Sequence, residues 1–412
     1  MIVARHEIWG SIMRFPMVMF SLGLVGDACA ATINVTTTDD TIAADGQCSL
    51  REAITAANLD SAFNGCTAGN GVDSIILAAA EYRFDIAGAN EDANASGDLD
   101  VRSSLSIVGP GADVARIRGD REDRVFDLGP PGAGQTIVVG ISGVTIRNGG
   151  GALGGAILNR EDVDLSVSSV SFTGNAASQG AGIASFGLLD VDRSVFHAND
   201  ADEGGAIWTS ASGVASIRNV TFDSNTSTGS GSAAVFGAAA TLNNVTASQN
   251  IADSDFDDSG DGAIDIRASV TIANSIIARN VDLSLGGSAL LNPDCVSGGG
   301  AFDSAGHNLI GNLGNVCVLG NAQASDQTGN PAQPINPLLQ PFALYGGTVE
   351  VFLPTAASPA VERGSPAPSG SAGACEATDA RGVPRPQAAR CDIGAAELDD
   401  LIFIDGFDPA LP

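Results

Sequence analysis

Val170-Ser-Phe-Thr-Gly-Asn175, Val195-Phe-His-Ala-Asn199 and Val220-Thr-Phe-Asp-Ser-Asn225 are one short phrase written three times. Looser copies lie on either side: Val144-Thr-Ile-Arg-Asn148, Val245-Thr-Ala-Ser-Gln-Asn250 and Ile276-Ile-Ala-Arg-Asn280. The asparagines follow one another at 27, 24, 26, 25 and 30 residues. A second phrase keeps step: Gly154-Gly-Ala-Ile157, Gly180-Ala-Gly-Ile183, Gly204-Gly-Ala-Ile207 and Gly262-Ala-Ile264. Such a period marks stacked units, none of which can bury its apolar face alone. Strand-type alternation, as in Ala215-Ser-Ile-Arg-Asn-Val-Thr-Phe222, and frequent glycine exclude helical repeats. The predicted fold is all-β, a right-handed parallel β-helix with each coil about 4.8 Å above the last. Phenylalanines and aliphatics should fill it, with asparagines stacked at equivalent corners as ladders rather than ligands. Leu99-Asp-Val-Arg-Ser-Ser-Leu-Ser-Ile-Val108 and Arg124-Val-Phe-Asp-Leu128 read as earlier, less regular rungs.

Composition agrees. Of 412 residues, 44% are hydrophobic, 16% charged and 52 are glycine, which is too apolar for a disordered chain. Net charge is −29, and all 19 basic residues are arginine. That charge repels phosphate backbones and excludes nucleic acid as a partner. It favours solubility and cations.

The alternation of G-G-A-[IL] with F-x-x-N resembles the repeat of polymorphic outer-membrane proteins. Phe172, Phe196 and Phe222, each three residues before Asn175, Asn199 and Asn225, carry the match. The resemblance implies architecture.

Both ends need closing, because an open sheet edge recruits further strands. Cys48-Ser-Leu-Arg-Glu-Ala-Ile-Thr-Ala-Ala-Asn58 supplies an N-terminal cap. Ser49 and Glu52 form a capping box, and Leu50, Ala53, Ile54 and Ala57 share one helical face. The segment Cys48-Ser-Leu-Arg-Glu-Ala53, with Glu91-Asp92 and Gly97-Asp-Leu-Asp-Val101, resembles the CSLREA domain family over residues 32–108. That likeness implies an exported bacterial protein and brings no catalytic residues. Asn336-Pro-Leu-Leu339, Gly346-Gly-Thr348, Thr378-Asp-Ala-Arg-Gly-Val-Pro-Arg-Pro386 and Cys391-Asp-Ile-Gly-Ala395 resemble the choice-of-anchor Q domain over residues 330–397. It implies a C-terminal cap on a surface or secreted protein. The expected organisation is a signal peptide over 1–30, the CSLREA-type cap over 31–75, the β-helix over 76–329, the choice-of-anchor Q-like region over 330–397 and a tail over 398–412.

Arg5 and Arg14, an apolar run from Phe15 to Gly26, and Ala28-Cys29-Ala30 read as a secretory signal with its cleavage site. The run is too short for a retained transmembrane helix, and no transmembrane segment is expected after cleavage. Six cysteines would remain, in three close pairs separated by 18, 22 and 16 residues: Cys48 with Cys66, Cys295 with Cys317, and Cys375 with Cys391. Local disulfides are predicted. Zinc is disfavoured, since there is no C-x-x-C and only His197 and His307 survive cleavage.

These features predict a secreted or cell-surface protein with a structural, adhesive or binding role, its partners glycans or surface proteins. The alternative is a secreted polysaccharide lyase or hydrolase of the pectate-lyase-like type. The G-H-G and R-x-K motifs of the hydrolases are absent, and no catalytic residue can be assigned. Alternating Asp253, Asp255 and Asp257 are a candidate calcium site, because hard cations take carboxylate oxygens, although no EF-hand glutamate follows. Trp208 follows the inward Ile207 and therefore points outward, as a candidate sugar contact.

Overall fold

The computed structural model describes residues 30–399 apart from 90, 131, 133, 258–261 and 285–292. The expected signal peptide and most of the expected tail therefore lie outside the described residues. Among those described, the strands form four parallel sheets of eleven, ten, eight and five strands, the stacked sheets of a parallel β-helix. One rung shows the plan. Val163–Ser168 lies in the eleven-stranded sheet, Ser171–Thr173 in the ten-stranded, Ala176–Gln179 in the five-stranded and Ile183–Ser185 in the eight-stranded sheet. Leu188–Asp192 then returns to the first sheet one level up.

The corners explain the period. Between the ten- and five-stranded sheets one residue per rung is left-handed: Gly174, Ala198, Ser224, Gln249 and Arg279, at φ between 52° and 66°. Four of these are not glycine, and L side chains avoid that region at a cost near 1 kcal/mol. The next residue in each rung is the repeated asparagine. Asn175 Nδ2 donates to Asn199 Oδ1, Asn199 to Asn225, Asn225 to Asn250 and Asn250 to Asn280, all at 2.8–2.9 Å. Each Nδ2 also reaches back one level to a carbonyl, as Asn225 does to Phe196 at 2.9 Å. The chain ends on the carboxylate of Asp294, 2.9 Å from Asn280 Nδ2. Asn148, counted as the first marker, is not in this ladder. Asn148 stands two residues after Ile146, the register partner of Phe172, where the ladder asparagines stand three after theirs, so Asn148 takes the left-handed position (φ 56°) and the Gly149 N–H donates to Asn175.

The interior stacks as the pattern requires. Phe172, Phe196 and Phe222 pile up with ring centroids 4.5 and 5.2 Å apart. Ile157, Ile183 and Ile207 align across the eight-stranded sheet, and the series reaches Ile264 through Ala234, a rung whose phrase the sequence disguises as Gly-Ser-Ala-Ala. Glycine before these residues is obligatory: a Cβ on Gly180 (φ 62°) would sit 2.3 Å from the Ile183 carbonyl oxygen.

The helix Leu50–Asn58 covers the first rung, burying Leu50, Ala53, Ile54 and Ala57 in the main core. Each polar letter of its motif has a task. Ser49 Oγ accepts from the Glu52 N–H, and Glu52 returns to the Ser49 N–H at 3.0 Å, the capping box the sequence announces. Arg51 is buried, forks onto Asp40 at 2.7 and 3.0 Å, and donates to the carbonyls of Gly97 and Asp98 at 2.8 Å each. It thereby ties the cap to the strand edge it covers. Cys48–Cys66, Cys295–Cys317 and Cys375–Cys391 are disulfides, as their spacing suggests.

The C-terminal closure differs in form from a simple lid. Leu313, Leu319 and Cys317 pack on the last rungs. Residues 336–397 instead run back along the outer face of the ten-stranded sheet. Ala360 and Ile393 cover the outward Ile276 and Leu309, while Phe342 and Val349 pack with Val195 and Ala112, several coils back toward the N-terminus. Asn243, Asn244 and Asn274 fasten this strap through bonds to Ala374, Gly394 and Gly373 at 2.9–3.2 Å. Asn336-Pro-Leu-Leu339 and its companions thus read as a lateral covering, because outward aliphatics on that sheet need burial.

Two outcomes follow. Asn225→Ala should lose at least about 3 kcal/mol in chemical denaturation, since it strands the Asn199 amide and the Phe196 carbonyl in the interior; a variant within about 1 kcal/mol of the parent would show that the ladder is ornamental. Replacing Leu50 and Ile54 together by aspartate should expose the first rung and drive association in sedimentation velocity, whereas an unchanged, equally stable monomer would refute the cap.

Candidate functional site

The most perturbed acid, Asp98, lies among a cluster of carboxylates near the N-terminal end of the eight-stranded sheet. Asp100 and Asp127 are register partners on neighbouring rungs, with Asp98 and Asp123 close by. Burial pushes Asp98 up to about 8, helped by Asp123 and Asp100, and raises Asp100 to about 6. Asp127 is equally buried, but Arg160, Arg102 and Arg124 hold it below the usual carboxylate range. A split of this kind resembles an acid–base pair. The geometry argues for a fastening instead. Asp98 and Asp100 are 0% exposed and Asp127 1%. Arg124 joins Asp98 to Asp127 at 2.9 and 3.1 Å, and Arg160 grips both Asp127 oxygens at 2.6 Å. Oxygens of Asp92, Asp100 and Asp127 converge within 4.8 Å, yet Arg102 already bonds all three carboxylates. Guanidinium groups stand where a cation would.

The predicted calcium residues also converge: oxygens of Asp253, Asp255 and Asp257 lie within 4.8 Å of one another. Asp253 is buried, its Oδ1 accepting from the Asp257 N–H at 3.2 Å, and the other two are exposed. Alternate spacing thus brings the three acids together, and a hard cation is the metal their oxygens could hold. The rest of this loop, 258–261, lies outside the described residues.

The histidines have structural partners. His197 Nδ1 lies 2.8 Å from Asp223, and its ring stacks on Phe342 with centroids 5.0 Å apart. His307 Nδ1 lies 2.8 Å from the Arg363 carbonyl. In the C-terminal motif, Arg381 and Arg385 are buried against Asp379 and Glu397 at 2.7 and 2.8 Å, so neither is available as a base.

The open, chemically mixed surface lies at the corner between the eight- and eleven-stranded sheets. Trp208 stands outward in register between Ala184 and Val235, as alternation requires. It is half-buried and packs against Phe186, centroids 5.5 Å apart. Phe186 lines two neighbouring clefts of about 430 and 400 Å³, which share Glu161 and Asp162. Leu153, Leu158 and Pro130 extend the apolar lining of the first, with Arg160 also present; Asp164 and Ser212 add polar groups to the second. Beside them Val138, Leu188 and Val214 stand about half exposed on the outer eleven-stranded sheet, at register positions linked through Asp164. Phe186 escaped the sequence reading, although alternation from Ile183 sends it outward just as it does Trp208. Glu203, beside Trp208, is held low by Arg267 at 2.7 Å, with Gln179 and Trp208 adding to the effect.

The chain matches no family model, no curated protein and no solved structure. Among the described residues no helix is long and apolar enough to cross a membrane.

The buried acids set a pH dependence. Asp98, Asp294 and Glu397 are raised to about 8, 7 and 7, and Asp100 to about 6, all chiefly by burial. Unfolded, they ionise near pH 4. Between that pH and their folded values only the unfolded chain releases these protons, so stability falls as pH rises from about 4 to about 8. His197, raised by its bond to Asp223, adds to this: its contribution is present below pH 6.5 and lost as pH rises through the folded value. Asp127 and Glu203, which are lowered, act oppositely, losing their contribution as pH falls below the carboxylate range. The melting temperature should peak between pH 4 and 6 and decline toward pH 8; a peak above pH 7 would show that these acids are charged in the folded protein.

Proposed function

We propose that the protein is an exported, surface-acting binding protein whose coil presents the Phe186 corner to neutral glycans. One observation carries the reading. An aromatic pair and an aliphatic stripe lie open on the outer corner of a rigid solenoid, bordered by carboxylates. Aromatic and aliphatic faces take the C–H faces of sugar rings, while Glu161, Asp162 and Asp164 accept from ring hydroxyls. Isolated exposed aliphatics are ordinary, but Leu188 and Val214 adjoin on neighbouring rungs beside Phe186, and such an apolar strip rimmed by polar groups marks a contact surface. The three disulfides suit an oxidising compartment. The secretory signal, the CSLREA-like segment and the choice-of-anchor-like region support export. The overall negative charge favours neutral chains over polyanions at this corner. For a lyase or hydrolase, the perturbed acids would need to meet substrate; arginines cover Asp98, Asp100, Asp127 and Glu397, and Asp294 is buried at the end of the asparagine ladder.

Titration of the purified chain against neutral oligosaccharides should give binding that Phe186→Ala or Trp208→Ala weakens at least tenfold, the roughly 1.4 kcal/mol or more typical of losing an aromatic anchor. Equal binding by Phe186→Ala, or none by the parent, would refute this corner as a glycan site. Release of unsaturated uronate from acidic polysaccharides, with or without calcium, would replace the binding reading with a lyase.

A further inference from the structure

We propose that the cleft between the ten-stranded sheet and the C-terminal strap is a second binding site, for a sugar that carries a carboxylate. It lies away from the Phe186 corner and does not depend on that reading. Arginines align on the outer face of this sheet: Arg83, Arg118 and Arg147 are register partners on three successive rungs, and the ladder continues through Thr173 to His197. Arg116 stands beside this row, in register with Glu81 and Thr145. In a chain of net charge −29, four arginines on three rungs are a concentrated cationic stripe.

The strap converts part of the stripe into a cleft of about 230 Å³. Arg116, Thr145, Arg147, Ser171, Thr173 and His197 come from the sheet. Thr348 and Glu350 come from the strap, and Asp113 from the preceding loop. The volume suits one sugar ring better than an extended chain, since typical small-molecule pockets begin near 300 Å³. Arg116 makes a single hydrogen bond among the described residues, to the Asp113 carbonyl at 2.6 Å, which leaves most of its fork for a ligand. Glu81 is shared between Arg83 and Arg147, and Asp223 matches His197.

The mixture of charges selects the ligand class. A guanidinium fork takes a carboxylate through two parallel hydrogen bonds. Asp113 and Glu350 have no place beside a bare oxyanion, which they repel. They fit a ligand that brings hydroxyl donors on the same ring as its carboxylate, and a uronic acid does so. A neutral sugar would leave Arg116, which has no carboxylate partner among the described residues, without a counter-charge.

Calorimetric titration of the full chain with glucuronate, glucose and inorganic sulfate at low salt tests the assignment. Glucuronate should bind at least tenfold more tightly than either of the others. Arg116→Gln should weaken it at least tenfold while leaving neutral-oligosaccharide binding at the Phe186 corner unchanged. Glu350→Gln, whose side chain serves no fold contact named above, should narrow the preference for glucuronate over sulfate. Sulfate or glucose binding as tightly as glucuronate, undiminished binding by Arg116→Gln, or an unaltered preference in Glu350→Gln would each overturn the proposal.

Discussion

The asparagine ladder is the constraint on which the coil depends. At every rung one residue enters the left-handed region, and in four of the five rungs from Gly174 to Arg279 that residue carries a side chain. Such a corner is unfavourable alone. The asparagine after it closes the account by accepting from the rung below and donating to the rung above and to the Phe or Ala carbonyl behind. All the amides point the same way, so their dipoles add. The row ends on Asp294, which accepts from Asn280 and, at 2.6 Å, from the Asn312 N–H. An acceptor is what the donor end of such a row needs, and its burial explains why that acid is raised to about 7.

Fixing the corner frees everything else. The steps between asparagines vary from 24 to 30 residues, yet the Phe and Ile stacks stay in register, because the extra residues loop outward from turns elsewhere in the coil. The acidic loop beginning at Asp253 is one such excursion. Outward positions are therefore where this chain can specialise. The strap claims most of one sheet and leaves the corner of Phe186, Leu188 and Trp208 open.

The sequence made the coil legible wherever identity and spacing coincide. The Phe–Asn phrase, the capping box at Ser49 and Glu52, and the local cysteine pairs all depend on neighbours within a few residues or one period. It misled where a single residue shifts the phase: Asn148 resembles its successors but sits one position early, at the left-handed corner. It was silent where contacts are made across many rungs. Nothing local says that Phe342 and Val349 will lie on Val195, or that Arg160 will bind Asp127. Trp208 was found by alternation, whereas Phe186, subject to the same rule, was passed over because no repeat phrase marks its position. The convergence of Asp253, Asp255 and Asp257 agrees with their alternate spacing.

The exclusive use of arginine fits this architecture. Arg51, Arg381 and Arg385 are each almost fully buried, and each satisfies several acceptors at fixed angles. Arg51 meets one carboxylate and two carbonyls at once. A planar fork can do this without losing its charge, whereas a buried lysine, with a compact ammonium, tends to neutralise. The N-terminal cap, the Asp127 cluster and the C-terminal motif are thus joined to the coil by the same device. That use also gives meaning to the arginines that depart from it. Arg116 and Arg118 make no ion pair among the described residues, and they lie on the outward face of the ten-stranded sheet in a chain of net charge −29. The one bond that Arg116 makes among those residues, to the Asp113 carbonyl, leaves a guanidinium facing the cleft under the strap, which the fold alone does not require.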